Sequence, residues 1–139
     1  MTQANPASAS SAAAPSLWHR VRRTLMLMLL LVVLVLGAYT WLSLHISYSD
    51  GERAGVLQKL SHKGWLCKTW EGELLLTPLP GTVPEKFVFT VPDAAVAQRL
   101  NGLLGQRLVL SYEQHRGVPG SCFGDTEYFV QNVREAGSP

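Results

Sequence analysis

The feature that most constrains this chain is an uninterrupted apolar run at residues 25–44, LMLMLLLVVLVLGAYTWLSL. The run has no charged residue, and as a helix rising about 1.5 Å per residue it would reach roughly 30 Å, the thickness of the hydrocarbon core of a bilayer. We therefore predict that residues 20–46 form a basic collar and a transmembrane helix. A cleaved signal peptide is the alternative, but the run exceeds the usual apolar core of about 7–15 residues and no small-x-small cleavage site follows it.

The basic residues around the run predict its orientation. Arg20, Arg22 and Arg23 precede it, whereas only Arg53 lies close after it. Because cytoplasmic flanks carry the excess of Lys and Arg, we expect a cytoplasmic N-terminus and a periplasmic C-terminal domain at a bacterial inner (cytoplasmic) membrane. The inverted orientation remains an alternative, since the bias depends on few charges.

Outside the apolar run, the composition predicts an N-terminal tail, one folded domain and a short C-terminal tail. Residues 1–19 are rich in Ala, Ser and Pro and are expected to form a disordered cytoplasmic tail. Residues 47–135 form the expected extracytoplasmic domain, and residues 136–139 a short disordered tail. The net charge of +2 is uneven, because from Ser47 onward nine Lys or Arg residues stand against ten Asp or Glu residues. The folded part therefore has no excess of basic residues, and we predict no nucleic-acid partner.

The domain sequence predicts five strands and one helix. Runs typical of strands, bounded by turn residues, lie at residues 55–60, 65–76, 86–91, 106–114 and 126–134. The first two would form a hairpin, and Gly72 in the second predicts a bulge or bend. Between the third and fourth runs, Asp93 is a good N-cap, apolar residues recur at helical spacing, and Gly105 suits the position just after a helix.

This order predicts the fold class. The chain is mainly β, with an N-terminal single transmembrane helix followed by a five-stranded OB-like barrel that has one helix between strands 3 and 4. Short antiparallel strands remove their exposed edges by closing into such a barrel. A split sheet with one helix packed on its face is the alternative.

Several segments of the domain form a pattern, at residues 49–55, 59 and 61, 63–64, 68–74 and 124–130. The pattern resembles a group of small uncharacterised bacterial membrane-anchored proteins, some of which carry the name 6-phosphogluconate dehydrogenase. The resemblance covers roughly residues 49–133 and implies a fold but no activity. The dehydrogenase name conflicts with the chemistry, because a dinucleotide site needs a βαβ unit, whereas the glycines at 102 and 105 close a helix before an antiparallel strand. The cysteines depart from the pattern, so the resemblance implies no role for them.

The two cysteines, Cys67 and Cys122, are candidates for a disulfide. An extracytoplasmic compartment would permit the bond, which would close a loop of about 55 residues and stabilise the domain by about 4 kcal/mol in the chain-entropy model. The alternative is a buried free Cys67 and an exposed free Cys122. A thioredoxin-like redox role is not expected, because the sequence contains no CxxC motif.

Two further residues are candidates for contact with a partner. Strand alternation predicts that Lys68 and Trp70 share one face, where an outward Trp beside a charge could contact a protein or a glycan. The alternative is that Trp70 packs over the end of the barrel, as most Trp residues are largely buried. Asp125 is expected to cap backbone groups in the turn before the last strand.

Catalytic patterns do not stand out in this sequence. It shows no Ser-His-Asp order, no paired acids on a rigid element and no phosphate loop, so we predict neither an enzyme nor a cofactor. The leading interpretation is a single-pass inner-membrane protein that presents a small periplasmic barrel as an interaction or accessory module, with the lipid bilayer and another membrane or envelope protein as partners. The alternative is a periplasmic small-ligand or metal binding or carrier protein that uses His62, His115 and Cys122.

Overall fold

A computed structural model describes residues 17–77 and 80–137. The chain divides into two compact units, Met1–Gly37 and Ala38–Pro139. The predictions of disorder for residues 1–16 and for Ser138 and Pro139 fall outside the described residues. Within the described part, the three residues from Leu17 to His19 differ from the predicted tail, because they already belong to a helix.

The N-terminal helix, α1, spans Leu17–His45 and contains 29 residues. It is long and apolar enough to cross a membrane, and none of its residues is buried by the protein. No Gly or Pro interrupts the sequence between Leu17 and Leu36, which explains why the helix begins before the basic collar. An apolar helix without a protein cover is stable when lipid surrounds it, because its backbone groups are already paired within the helix.

The second unit contains a barrel. Its described strands are β1 (Ser49–Lys63), β2 (Thr69–Leu76), β3 (Lys86–Val91), β4 (Arg107–Gln114) and β5 (Tyr128–Glu135), and the helix α2 (Ala94–Gly102) lies between β3 and β4. The strands close in the order β1-β2-β3-β5-β4, and β4 pairs with β1. This confirms the predicted mainly β, OB-like fold with a helix between strands 3 and 4.

One pairing differs from the antiparallel prediction. β3 and β5 meet in parallel, with Thr90 opposite Phe129. The cause is topological. In an antiparallel pairing the two strands run in opposite directions, so a closed ring can be antiparallel at every pairing only if it has an even number of strands, and this ring has five. The other four pairings among the described strands are antiparallel.

β1 is longer than predicted and joins two sides of the barrel. The predicted first strand, residues 55–60, is too short, because Ser49–Lys63 is one strand. Its first half pairs with β4 and its second half with β2, and the register with β2 shifts between Leu57 and Lys59. Such a bulge bends a strand and increases its twist, which lets β1 change partners and close the barrel. β2 starts only at Thr69, so residues 64–68 form the β1–β2 loop.

The core fills the barrel and the contact with α2. Its buried members come from each of these strands and from the helix; they are Leu57, Leu74, Phe87, Phe89, Val91, Val96, Ala97, Leu100, Leu108, Leu110, Val130 and Val133. The predicted N-cap is confirmed, because the Ala95 N–H donates to Asp93 Oδ1 over 2.8 Å. α2 ends at its C-cap Leu103, and Gly105, with φ +79°, lies two residues later.

Gly72 does not form the predicted bulge. It pairs in regular register with Leu60 on β1 and Phe89 on β3. Its role is to make room, because a Cβ at this position would lie 2.3 Å from Cζ of the Phe89 ring. Phe89 is fully buried, so close packing restricts movement of its ring.

We therefore expect Gly72→Ala to lower the free energy of unfolding by about 1–3 kcal/mol through overpacking. Gly102→Ala is the matched control, since a Cβ added there, at the end of α2, would meet no other part of the protein within 4 Å. Thermal unfolding of both variants checks the prediction. A Gly72→Ala protein that unfolds at the wild-type temperature would contradict it.

Candidate functional site

The candidate site is the end of the barrel formed by the β1–β2 loop, residues 64–68, and the β4–β5 loop, residues 115–127; we name it the loop end. The structure joins the two loops by a disulfide between Cys67 and Cys122, whose Cα atoms are 4.9 Å apart. The bond is one of the two states that the sequence left open. It fixes the separation of two loops that lie 55 residues apart in the chain.

Beneath the β4–β5 loop lies a buried carboxylate, Glu71, which is only 4% exposed. Glu71 Oε1 accepts hydrogen bonds from the Thr69 hydroxyl over 2.8 Å and from the Asp125 N–H over 3.1 Å. Its Oε2 accepts from the Thr90 hydroxyl over 2.8 Å. The Thr90 hydroxyl is buried, whereas the Thr69 hydroxyl and the Asp125 N–H are partly buried. By accepting from all three, Glu71 holds the loop against β2 and β3.

Two threonines continue this polar network. The hydroxyls of Thr90 and Thr126 lie 3.0 Å apart, and the Thr126 hydroxyl donates to the carbonyl of Tyr128 over 3.1 Å. Gly124 allows the close approach, because its φ is +154° and a Cβ there would lie 2.6 Å from the Thr90 side chain. Among the described residues, no buried side-chain nitrogen or oxygen lacks a hydrogen-bond partner.

An ion pair at the surface adds to the loop attachment. Lys63 Nζ lies 3.0 Å from Asp125 Oδ2. The hydrogen bond and the charge of Asp125 raise the pKa of Lys63 above its usual value. Asp125 therefore contacts Glu71 through its backbone and Lys63 through its side chain, and the predicted capping of turn backbone by its carboxylate is not what the structure shows.

The β4–β5 loop also contacts the last turns of α1, within the unit Ala38–Pro139. The Tyr39 hydroxyl donates to the carbonyl of Gly117 over 2.9 Å, and His115 Nδ1 lies 3.2 Å from the carbonyl of Ser43. His115 is buried, packs edge-on against the Phe129 ring and lies 3.4 Å from a Glu113 carboxylate oxygen. The loop is thus in contact with both the barrel wall and the end of the helix.

The β1–β2 loop carries an exposed apolar pair, Trp65 and Leu66, which we name the loop tip. Trp65 is 101% exposed and Leu66 is 89% exposed. Phe123, next to Cys122 on the other loop, is also partly exposed. The sequence placed Trp65 at the start of a strand, and the later start of β2 puts it at a turn instead.

The predicted contact residues lie close to the tip but in different surroundings. Lys68 precedes β2 and is exposed, so its side chain is open to a partner. Trp70 is partly buried, packs against the core and stacks on the His62 ring with centroids 4.5 Å apart. Its position matches the alternative in which Trp70 packs over the end of the barrel.

The residues of the alternative metal site have other partners. Cys122 is bonded to Cys67, so its sulfur is not a thiolate ligand while the disulfide is intact. His62 stacks on Trp70, whereas His115 contacts Ser43 and Glu113. Within the described ranges, no group of three His, Cys, Asp or Glu residues is arranged to hold a metal ion.

A model of a domain of unknown function, DUF8785, matches residues 47–137. This chain belongs to the DUF8785 family. No curated protein and no solved structure matches the chain. The matched range of the DUF8785 domain includes both loops of the loop end, the whole barrel and α2.

Two features of the loop end of this DUF8785 domain were missed from sequence. Glu71 alternates outward on β2, a position that is normally solvated, and it is buried only because a loop 54 residues away covers it. No local pattern predicts that contact. Trp65 and Leu66 were predicted to lie in the second strand, whereas β2 begins only at Thr69. The turn residue Gly64, directly before them, is the signal that could have placed them in the loop.

Proposed function

We propose that this protein is a single-pass protein of a bacterial inner membrane that displays its DUF8785 barrel in the periplasm as an interaction module for another membrane or envelope protein. The single observation that carries the proposal is the disulfide between the β1–β2 and β4–β5 loops. Structural disulfides persist in oxidising compartments such as the periplasm. The same bond fixes the two loops through which OB folds bind their ligands.

The basic collar supports the periplasmic placement. Arg20, Arg22 and Arg23 lie at the N-terminal side of the apolar run, the side that stays in the cytoplasm under the positive-inside rule. A retained α1 would keep the domain concentrated next to membrane partners without adding a contact.

The outer face of β2 and β3 offers a surface for such a partner. Glu71 and Thr90 on this face are covered by the β4–β5 loop, but Val88 is 43% exposed beside the ion pair of Glu73 and Lys86, whose charged atoms are 3.9 Å apart. OB folds commonly bind on this face, between the same two loops.

Topology is tested by fusing alkaline phosphatase after Pro139. The enzyme matures only where disulfides form, so we expect an active fusion and, in parallel, an inactive β-galactosidase fusion at the same residue. The reverse pattern of activities would place the domain in the cytoplasm and contradict the proposal.

Partner binding is tested by photo-crosslinking in intact membranes. A benzoylphenylalanine at Val88 is expected to give a protein adduct of defined mass, whereas the same group at Gln98, exposed on α2, serves as the matched control. Equal labelling at both positions, or none at Val88, would count against an interaction module that uses this face.

A further inference from the structure

The loop tip is an exposed apolar projection beside the disulfide. Trp65 and Leu66 are adjacent, almost fully exposed, and followed directly by Cys67, whose disulfide ties them to the β4–β5 loop. That loop is itself held by Glu71 and by the ion pair of Lys63 with Asp125. A single exposed apolar residue needs no explanation, but two adjacent exposed apolar side chains on a loop fixed by a disulfide form an apolar surface that nothing in the described protein covers.

The residues around the tip indicate the chemistry of its partner. The sequence of residues 63–68 is KGWLCK, so lysines flank the apolar pair on both sides. A Trp beside Leu suits the boundary between headgroups and acyl chains, and flanking Lys side chains extend their ammonium groups to anionic headgroups. Lys63 is paired with Asp125, whereas none of the described acidic residues forms an ion pair with Lys68.

Contacts within the second unit connect the tip to the end of α1. Tyr39 and Ser43, in the last turns of the helix, contact Gly117 and His115 of the β4–β5 loop. Cys122 lies five residues after Gly117, a separation that extended chain limits to about 18 Å. The loop that is bonded to the tip therefore also contacts the C-terminal end of α1.

We propose that the loop tip is a lipid-contact site, in which Trp65 and Leu66 enter the headgroup region of the bilayer that holds α1 and Lys68 binds lipid phosphate. The contact predicted for Lys68 then has a phospholipid in place of a protein as its partner. The inference rests on the retained anchor of the proposed function, but not on its orientation or on the protein partner. Because the disulfide orders the loop beforehand, little conformational entropy is lost when the tip enters the interface.

The test uses the full chain in vesicles of phosphatidylcholine, with and without about one third phosphatidylglycerol, whose acyl chains are brominated. Subtracting the emission of Trp65→Phe from that of the wild type isolates Trp65, since Trp18, Trp41 and Trp70 contribute equally to both. We expect the Trp65 emission to be blue-shifted and largely quenched, more strongly with the anionic lipid. The matched control is the Trp70 emission, obtained in the same way with Trp70→Phe, which should stay largely unquenched because Trp70 is partly buried and packs against the barrel core.

Charge variants test the phosphate contact. Lys68→Gln should remove the extra quenching produced by phosphatidylglycerol, whereas Lys59→Gln, at an exposed position of β1, should leave it unchanged. Thermal unfolding at the wild-type temperature confirms that each variant is folded. A Trp65 emission that brominated lipid leaves unquenched would overturn the site, and an unchanged anionic dependence in Lys68→Gln would overturn the phosphate contact.

The alternative occupant of the tip is a protein, and photo-crosslinking at Leu66 in cell membranes distinguishes the two. An adduct with the mass of a phospholipid supports the inference. A protein-sized adduct would overturn it while still agreeing with the interaction module. The crosslink at Val88 and the phosphatase fusion report on the proposed function separately, so the two can fail independently.

Discussion

Glu71→Ala is expected to lower the free energy of unfolding by about 3–5 kcal/mol, a large part of the roughly 5–15 kcal/mol that stabilises a domain of this kind. The loss has little to do with the size of the side chain. It arises because the fully buried Thr90 hydroxyl and the partly buried Thr69 hydroxyl and Asp125 N–H lose their acceptor. Leaving buried donors without partners costs more than the original hydrogen bonds contributed.

Glu71→Gln is the matched control, and its expected cost is below about 1.5 kcal/mol. Its carbonyl oxygen can accept from Thr69 and Asp125, while its amide donates to the Thr90 hydroxyl. Thr90 can then turn its own proton to Thr126, whose oxygen lies 3.0 Å away and whose hydroxyl already donates to a backbone carbonyl. Only the Thr90 hydroxyl changes its acceptor, and each donor in the network keeps a hydrogen-bond partner.

Urea unfolding of the full chain in detergent, followed by near-ultraviolet circular dichroism, measures both variants. We expect Glu71→Ala to unfold at a clearly lower urea concentration than Glu71→Gln. Equal destabilisation by Ala and Gln would mean that the negative charge itself, rather than the satisfaction of the donors, stabilises the loop.

The sequence predicted the elements whose information is local. β3 was predicted with its observed bounds, Lys86–Val91, because a run of β-branched and aromatic residues lies between turn residues there. The cap of α2 was also predicted, since Asp93 and the helical spacing lie within a dozen residues. Together these fixed the order of the elements, from which the barrel follows.

The features that the sequence did not predict depend on pairing between distant parts of the chain. The extent of β1 is set by two partner strands, and a polar stretch such as Ser49–Gly51 extends the strand because β4 lies beside it. The parallel pairing of β3 with β5 follows from closure of a five-stranded ring, and the sequence of a single strand does not indicate it. Glu71 was overlooked for the same reason, because only the assembled barrel brings the β4–β5 loop over it.

Removal of the disulfide has the second large expected effect. The Cys67→Ala/Cys122→Ala variant should lose about 4 kcal/mol of stability in the chain-entropy model, because the bond closes a long loop in the unfolded chain. For a domain of about ninety residues this corresponds to a fall in melting temperature of roughly 15–30 °C. Calorimetry or circular dichroism of the full chain in detergent measures the shift.

Reduction of the wild-type protein with dithiothreitol provides the control, since it breaks the same bond without changing the sequence. The reduced wild type and the double variant should melt at similar temperatures. A double variant as stable as the oxidised protein would show that the bond does not constrain the unfolded state as chain entropy requires.

The disulfide and Glu71 hold the same loop, and their contributions should therefore be coupled. Once Cys67 and Cys122 are both replaced, the β4–β5 loop can lift away and let water reach the donors that Glu71→Ala exposes, so this substitution should cost less in that background. A double-mutant cycle measures the coupling, which we expect at about 0.5–3 kcal/mol for groups that share one loop. Simple additivity would mean that the loop stays in place without its covalent tie, and that the polar network alone determines the geometry of the loop end.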